Sequence, residues 1–203
     1  MRVICLDMEG VLVPEIWLGV AAETGIEELR LTTRDIRDYD ELMRHRLKIL
    51  DQHGIKIDLI QEVIASMGPM DGAKDFLAEL RSQAQVIILS DTFYGFAKPL
   101  MEQLDRPTLF CHYLDVAEDG HISGYRLRTT DHKTKSVKAL KELNFVTAAM
   151  GDSYNDTGMI QAAHVSAFFR SPQNVLDDFP DYPHFTDYEA AAKFLLTAEP
   201  REG

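Results

Sequence analysis

The hydrophobic positions of this chain follow two habits. Some form short continuous runs, and others recur every three or four residues over longer stretches. Val3–Asp7 is the first run, and Val86–Ser90 (Val-Ile-Ile-Leu-Ser) is the most hydrophobic; Thr108–Cys111, Thr147–Met150 and Val165–Phe168 read likewise as strands. Between and after them, residues 73–81, 134–143, 154–163 and 188–196 have helical spacing, the last as a closing helix on the sheet. Apolar runs separated by helical segments predict parallel strands joined by crossover helices, an α/β fold with a parallel sheet flanked by helices.

One stretch breaks the alternation. Residues 15–68 hold no strand pattern but four helical ones, Ile16–Glu23, Thr33–Arg37, Asp40–Leu50 and Asp58–Met67. The stretch ends at Gly68-Pro69-Met70-Asp71-Gly72, a turn-rich hinge. The pattern predicts a core of residues 1–14 and 69–203, with a small helical cap of residues 15–68 inserted after the first strand. In open parallel sheets ligands bind beyond the carboxyl ends of the strands, so the chemistry is expected there, under the cap.

Composition narrows the classes. With 203 residues, 45% of them apolar, the chain can bury one α/β core plus a small module. Cys5 and Cys111 fall inside strand-like runs without a Cys-x-x-Cys or Cys/His partner, which predicts buried, reduced thiols. Met1–Leu6 lacks the plan of a signal peptide, and no apolar run approaches the roughly 18 residues of a membrane span. A cytoplasmic protein with no membrane partner is therefore expected. The net charge of −12, with basic residues scattered, argues against nucleic acid. The histidines show no zinc-ligand spacing and read as structural or solvent-facing. So acidic a protein needs a local cation to bind an anion.

Four motifs carry candidate chemistry. Asp7-Met8-Glu9-Gly10 follows the first run, with two carboxylates two residues apart. Asp7 suits a nucleophile and Glu9 a general acid/base, although an acidic pair is also an ordinary solvated loop. Ser90-Asp91-Thr92-Phe93 follows the second run and can hold phosphate oxygens through hydroxyl and backbone N–H groups, or simply cap the next helix. Lys133 opens a helix, where a cation opposes the dipole and so needs another reason to be there. Gly151-Asp152-Ser153-Tyr154-Asn155-Asp156 is an oxygen-rich cluster of the kind Mg²⁺ accepts, and equally a composition for a bare turn. Each bland reading is respectable alone. Together, in the order acid pair, Ser, Lys and Gly-Asp-x-x-x-Asp, the motifs supply the nucleophile, cation and metal cage of in-line phosphoryl transfer.

In these motifs the chain resembles the haloacid dehalogenase superfamily, and within it the phosphoserine phosphatase branch, over nearly its whole length. The resemblance implies a Rossmann-like core in which Asp7 is phosphorylated and Glu9 is the general acid/base. It implies Mg²⁺ held by Asp7, the Glu9 carbonyl and Asp152, with Asp156 and Asn155 in support, and a phosphoryl group held by Ser90, Asp91, Lys133 and Asn155. In the cap, Glu15 would meet the substrate amine, and Arg46, with Arg44 as the alternative, the carboxylate. Glu9 in place of Asp, Ser-Asp-Thr-Phe in place of Ser-Gly-Gly-Phe, and Ser153-Tyr154 depart from the usual motifs. These variants resemble an offshoot that also passes the phosphoryl group of phosphoserine to homoserine. Rival readings are a phosphatase of another small monoester, such as a sugar phosphate or nucleotide, and a degenerate phospho-binding module. A receiver-like domain would carry its phosphorylated Asp on a later strand and lack a helical cap. A homodimer, paired through the cap face, would be compatible with all of these.

Overall fold

The computed structural model describes residues 1–32, 35, 36 and 38–201. Its framework is one sheet of β1 (Arg2–Leu6), β2 (Gln85–Phe93), β3 (Thr108–Val116), β4 (Ile122–Arg126), β5 (Val146–Gly151), β6 (Val165–Phe169) and β7 (His184–Phe185). The order across the sheet is β4-β3-β2-β1-β5-β6-β7. β1 is central, paired in parallel with β2 (Leu6 opposite Ile88) and with β5 (Leu6 opposite Met150). Alternate residues of β1 serve opposite faces. Ile4 and Leu6 join the larger apolar cluster, while Val3 and Cys5 join the smaller one. A strand covered on both faces has no polar side, which is why these strands read as unbroken apolar runs.

On the smaller-cluster face lie α6 (His132–Glu142) and α7 (Thr157–Ala162), through Val137, Met159 and Ile160. The other face carries α4 (Ala73–Gln83), α5 (Tyr94–Gln103) and α9 (Tyr188–Thr197). A short α8 (Gln173–Asp178) follows β6. Residues 16–67 contain α1 (Ile16–Thr24), a 3-10 turn at Glu27–Arg30, α2 (Tyr39–Gln52) and α3 (Ile57–Met67). Asp38 caps α2 by accepting from Glu41 N at 2.7 Å, so that helix starts one residue before the periodicity suggests. These helices do not stand apart, because Met43, Ile60, Val63 and Ile64 belong to the same apolar cluster as Phe96, Ala97 and Leu100. Gln61 Nε2 donates to Gly95 O at 2.6 Å and Gln103 Nε2 to Ala65 O at 3.0 Å, tying α3 to α5.

Several expectations need correction. The sheet is not purely parallel, since β4 pairs antiparallel with β3 as its edge hairpin. Ile122 is the one apolar side chain of β4 that is fully buried, and Gly124 interrupts it, so no apolar run marked it. β2 runs on to Phe93, with a register break against β3 after Leu89. Ser90 and Asp91 therefore lie on a strand and cap no helix; Phe93 holds the N-cap position of α5. Residues 154–163 form a 3-10 turn, Tyr154–Asp156, before α7 rather than one helix. Of the helical pattern at residues 33–37, Asp35 and Ile36 sit in a turn and a bend, and Thr33, Arg34 and Arg37 lie outside the described residues.

Candidate active site

The carboxyl ends of β1, β2 and β5 converge with the start of α6. Asp7 follows β1 directly and is fixed from both sides, its N–H donating to Met150 O at 2.9 Å and its Oδ1 accepting from Met8 N at 2.7 Å. Lys133 reaches it from the first turn of α6, where Asp131 at φ +49° turns the chain so that His132, Lys133 and Thr134 all point inward. Lys133 Nζ donates to Asp7 Oδ1 and to Asp156 Oδ1, both at 2.8 Å, and stands 3.7 Å from Asp91 Oδ2. The other oxygen of Asp156 accepts from Asp152 N at 3.0 Å and Ser153 N at 3.2 Å. Every oxygen of Asp156 is thus engaged, which makes it the brace of the site. Lys133 is 3% exposed, no solvated surface lysine, and it enters from a helix after the β3–β4 hairpin rather than from a strand end.

Two glycines make the approach of the strands feasible. A Cβ on Gly10 would stand 2.5 Å from Asp152 Cγ, and one on Gly151 would stand 2.3 Å from Asp156 Cγ. Asp7, Asp152 and Asp156 offer carboxylate oxygens within 4.8 Å of one another. This donor set is all oxygen, anionic and recessed, which suits a hard divalent cation such as Mg²⁺ and gives a softer metal no thiolate or imidazole.

Crowding and burial shift the acid–base balance of these groups. Burial, and then Asp156, push the Asp7 carboxyl upward, with Lys133 opposing. Burial, Asp156 and Glu15 raise Asp152 to about 7. Burial works against the Lys133 ammonium, but Asp156, Asp7 and Asp91 outweigh it and hold it charged far above the ordinary range. Asp91 is likewise held well below the carboxylate range, because Lys133, His112, His132 and Asn155 together overcome its desolvation. Three clustered carboxylates with one ammonium are short of positive charge, as a cation site should be.

A cavity of about 440 Å³ opens over this floor. From the core it is lined by Asp7, Glu9, Ser90, Asp91, Lys133, Asp152 and Asn155. From the helical segment come Glu15, Trp17, Tyr39 and Arg46. Glu9 accepts from Ile16 N at 2.9 Å, and burial and the neighbouring Glu15 carboxyl raise it to about 8. Glu15 is exposed at the N-cap of α1 and caps nothing with its side chain. Arg46 is buried, with Nη2 donating to Leu31 O at 2.8 Å, its guanidinium 4.5 Å over the Trp17 ring, and Nε without a partner. Arg44 is exposed and turns back to Asp40 O at 3.2 Å, so of the two alternatives Arg46 is the one at the cavity. Ser90 Oγ accepts from Thr92 N at 3.3 Å, and Asn155 Nδ2 donates to Asp91 Oδ2 at 2.9 Å.

All ten residues singled out in the sequence therefore line or brace one cavity. Sequence reasoning missed Trp17, Tyr39, His112 and His132. Tyr39 Oη donates to Asp91 O at 3.0 Å, linking α2 to β2. Nothing in spacing could have joined it to a residue 52 positions away.

A mainly parallel sheet whose central strand ends in an acid pair, braced by a lysine and a second acidic loop, defines a class. Residues 1–164 match the haloacid dehalogenase-like hydrolase family, and the chain belongs to it. The phosphoserine phosphatase ThrH of Pseudomonas aeruginosa is 51% identical over 99% of this chain and 98% of its own length. A phosphoserine phosphatase of Pseudomonas syringae pv. tomato is 50% identical, covering 99% of this chain and 85% of its own. Among solved structures, a phosphoserine phosphatase in its apo form superposes with a TM-score of 0.77 at 21% identity, over 95% of this chain and 98% of that one, a likeness of fold. Among the described residues no helix is long and apolar enough to cross a membrane.

Proposed function

We propose that this chain is a Mg²⁺-dependent phosphoserine phosphatase working through an aspartyl-phosphate on Asp7, and that it can also hand the phosphoryl group to homoserine. The carrying observation is the Lys133 ammonium shared between Asp7 and Asp156, beside Asp152, on the floor of a cavity whose helical side holds Arg46 and Glu15. The relatives at 51% and 50% identity, both named phosphoserine phosphatases, support the substrate.

The phosphoserine carboxylate docks on Arg46, whose plane is set by Trp17, and the amine meets Glu15. Residues 15–68 act as a cap that keeps water from the reacting atoms. A Asp7 carboxylate oxygen attacks phosphorus in line while Glu9 gives its proton to the departing serine oxygen. Lys133, Ser90 and Asn155 hold the phosphoryl oxygens. Asp7, Asp152 and the Glu9 carbonyl would hold Mg²⁺, which supplies charge stabilisation at the phosphoryl group. Glu9 then takes a proton from water, releasing phosphate, or from the homoserine hydroxyl, giving O-phosphohomoserine.

Phosphorus NMR on the protein with Mg²⁺ and L-phosphoserine, with and without L-homoserine, tests this. Phosphate should appear, homoserine should divert part of it into a phosphate ester, and Asp7→Asn should lose about 10³-fold or more of the rate. Phosphoserine left intact while an aryl phosphate is cleaved in an Asp7-dependent way would refute the substrate but not the chemistry.

A further inference from the structure

Two histidines stand behind Asp91, and the reaction just described gives them no part. His112 of β3 is 3% exposed and His132, the first residue of α6, is 2% exposed. Their rings meet edge to face at 4.6 Å. Asp91 Oδ1 lies 3.2 Å from His132 Nε2 and 3.6 Å from His112 Nε2. Its Oδ2 takes the Asn155 amide at 2.9 Å and faces Lys133 Nζ at 3.7 Å. The carboxylate thus stands between a histidine pair on one side and the phosphoryl-binding groups on the other, and both ring nitrogens of the buried His132 lack any other partner. Buried imidazoles are costly unless their nitrogens are used, and apolar side chains would fill the same space at less cost.

By composition the trio could hold a transition metal, with ligand atoms within 4.8 Å of one another. The tautomer argues otherwise. Arg128 N donates to His112 Nδ1 at 3.2 Å, which leaves the proton of the neutral ring on Nε2, the atom turned toward Asp91. A protonated nitrogen is a donor, not a ligand.

The arrangement bears on Lys133. An ammonium has three protons, and two of them go to Asp7 and Asp156. The third is the one a phosphoryl oxygen can take. Asp91 Oδ2, at 3.7 Å, is the nearest rival for it. We infer that His132 and His112 are positioning residues that hold the Asp91 carboxylate back, so that it orients Asn155 without capturing the third proton of Lys133. This rests on the assignment of Asp7, Lys133 and Asn155 to phosphoryl transfer.

The test is a double-mutant cycle in Mg²⁺, with kcat and KM measured on L-phosphoserine and on p-nitrophenyl phosphate. His132→Phe should lower kcat about 10- to 100-fold on both esters, since the fault lies at the phosphoryl group and not at the leaving group. His132→Gln, which returns a donor near the Nε2 position, should recover most of that. Asp91→Asn combined with His132→Phe should be no slower than the slower single variant, because the histidine acts through that carboxylate. Unchanged kcat in His132→Phe, or losses that multiply in the double variant, would overturn the inference while leaving the phosphatase reading standing. A parent protein that cleaves aryl phosphate but not phosphoserine removes the substrate assignment only, and the cycle is then read on aryl phosphate. A parent protein that cleaves neither ester removes both.

Discussion

At Gly10 the backbone has φ +75°, and a methyl group there would lie 2.5 Å from Asp152 Cγ. Alanine would meet both a left-handed conformation, costing about 1–2 kcal/mol, and a carboxylate that has to move. Gly10→Ala should therefore raise the Mg²⁺ concentration needed for half-maximal phosphatase activity about tenfold, which a metal titration of the initial rate would show. An unchanged metal requirement would mean that Asp152 is no ligand. The residues that meet at the cavity were legible through the order of four motifs along the chain, not through any one motif alone. Arg46 was nearly so: it sits three or four positions from Leu42, Met43, Ile49 and Leu50, all buried, whereas Arg44 falls off that face. The pairing of His112 with His132 was not legible. Their meeting depends on the β3–β4 hairpin and on the left-handed Asp131, and neither leaves a pattern in hydrophobicity.

The elements that the sequence revealed are those with long, regular burial. α3 and α4 carry buried residues at helical spacing, and β1 and β5 are apolar almost throughout. Those it hid are short or half-exposed, such as β4, the two-residue β7 and α8, which contributes Val175 alone to the buried core. Tertiary pairing, not local preference, makes them regular. Between elements the link from Tyr39 on α2 to the Asp91 carbonyl on β2 joins two residues that both line the cavity. Losing that hydroxyl in Tyr39→Phe should cost about 1 kcal/mol, the worth of one part-buried hydrogen bond. If the link holds the helical segment over the site, the loss will appear as a raised KM for phosphoserine with little change for p-nitrophenyl phosphate. Equal effects on both esters would place the role of Tyr39 in Asp91 alone.

For the molecule as a whole, the apolar cluster that runs from α1–α3 into α4, α5 and the sheet makes the helical segment and the core one packed body. Calorimetry should accordingly record a single unfolding transition whose van't Hoff and calorimetric enthalpies agree. Two resolved peaks would show that the segment melts by itself. Gln61 and Gln103 tie α3 to α5 and Tyr39 ties α2 to β2, while α1 and α2 bring Trp17 and Arg46 to the cavity, with Glu15 just ahead of α1. Trp17 is the chain's single tryptophan, and its ring lies beneath the Arg46 guanidinium at 4.5 Å. On the proposed docking of substrate at Arg46, a carboxylate drawn onto that guanidinium would alter the field at the indole and give the protein its own optical gauge of occupancy. Its emission should shift as phosphoserine binds to Asp7→Asn, giving an affinity from light alone, with no turnover, label or coupled assay.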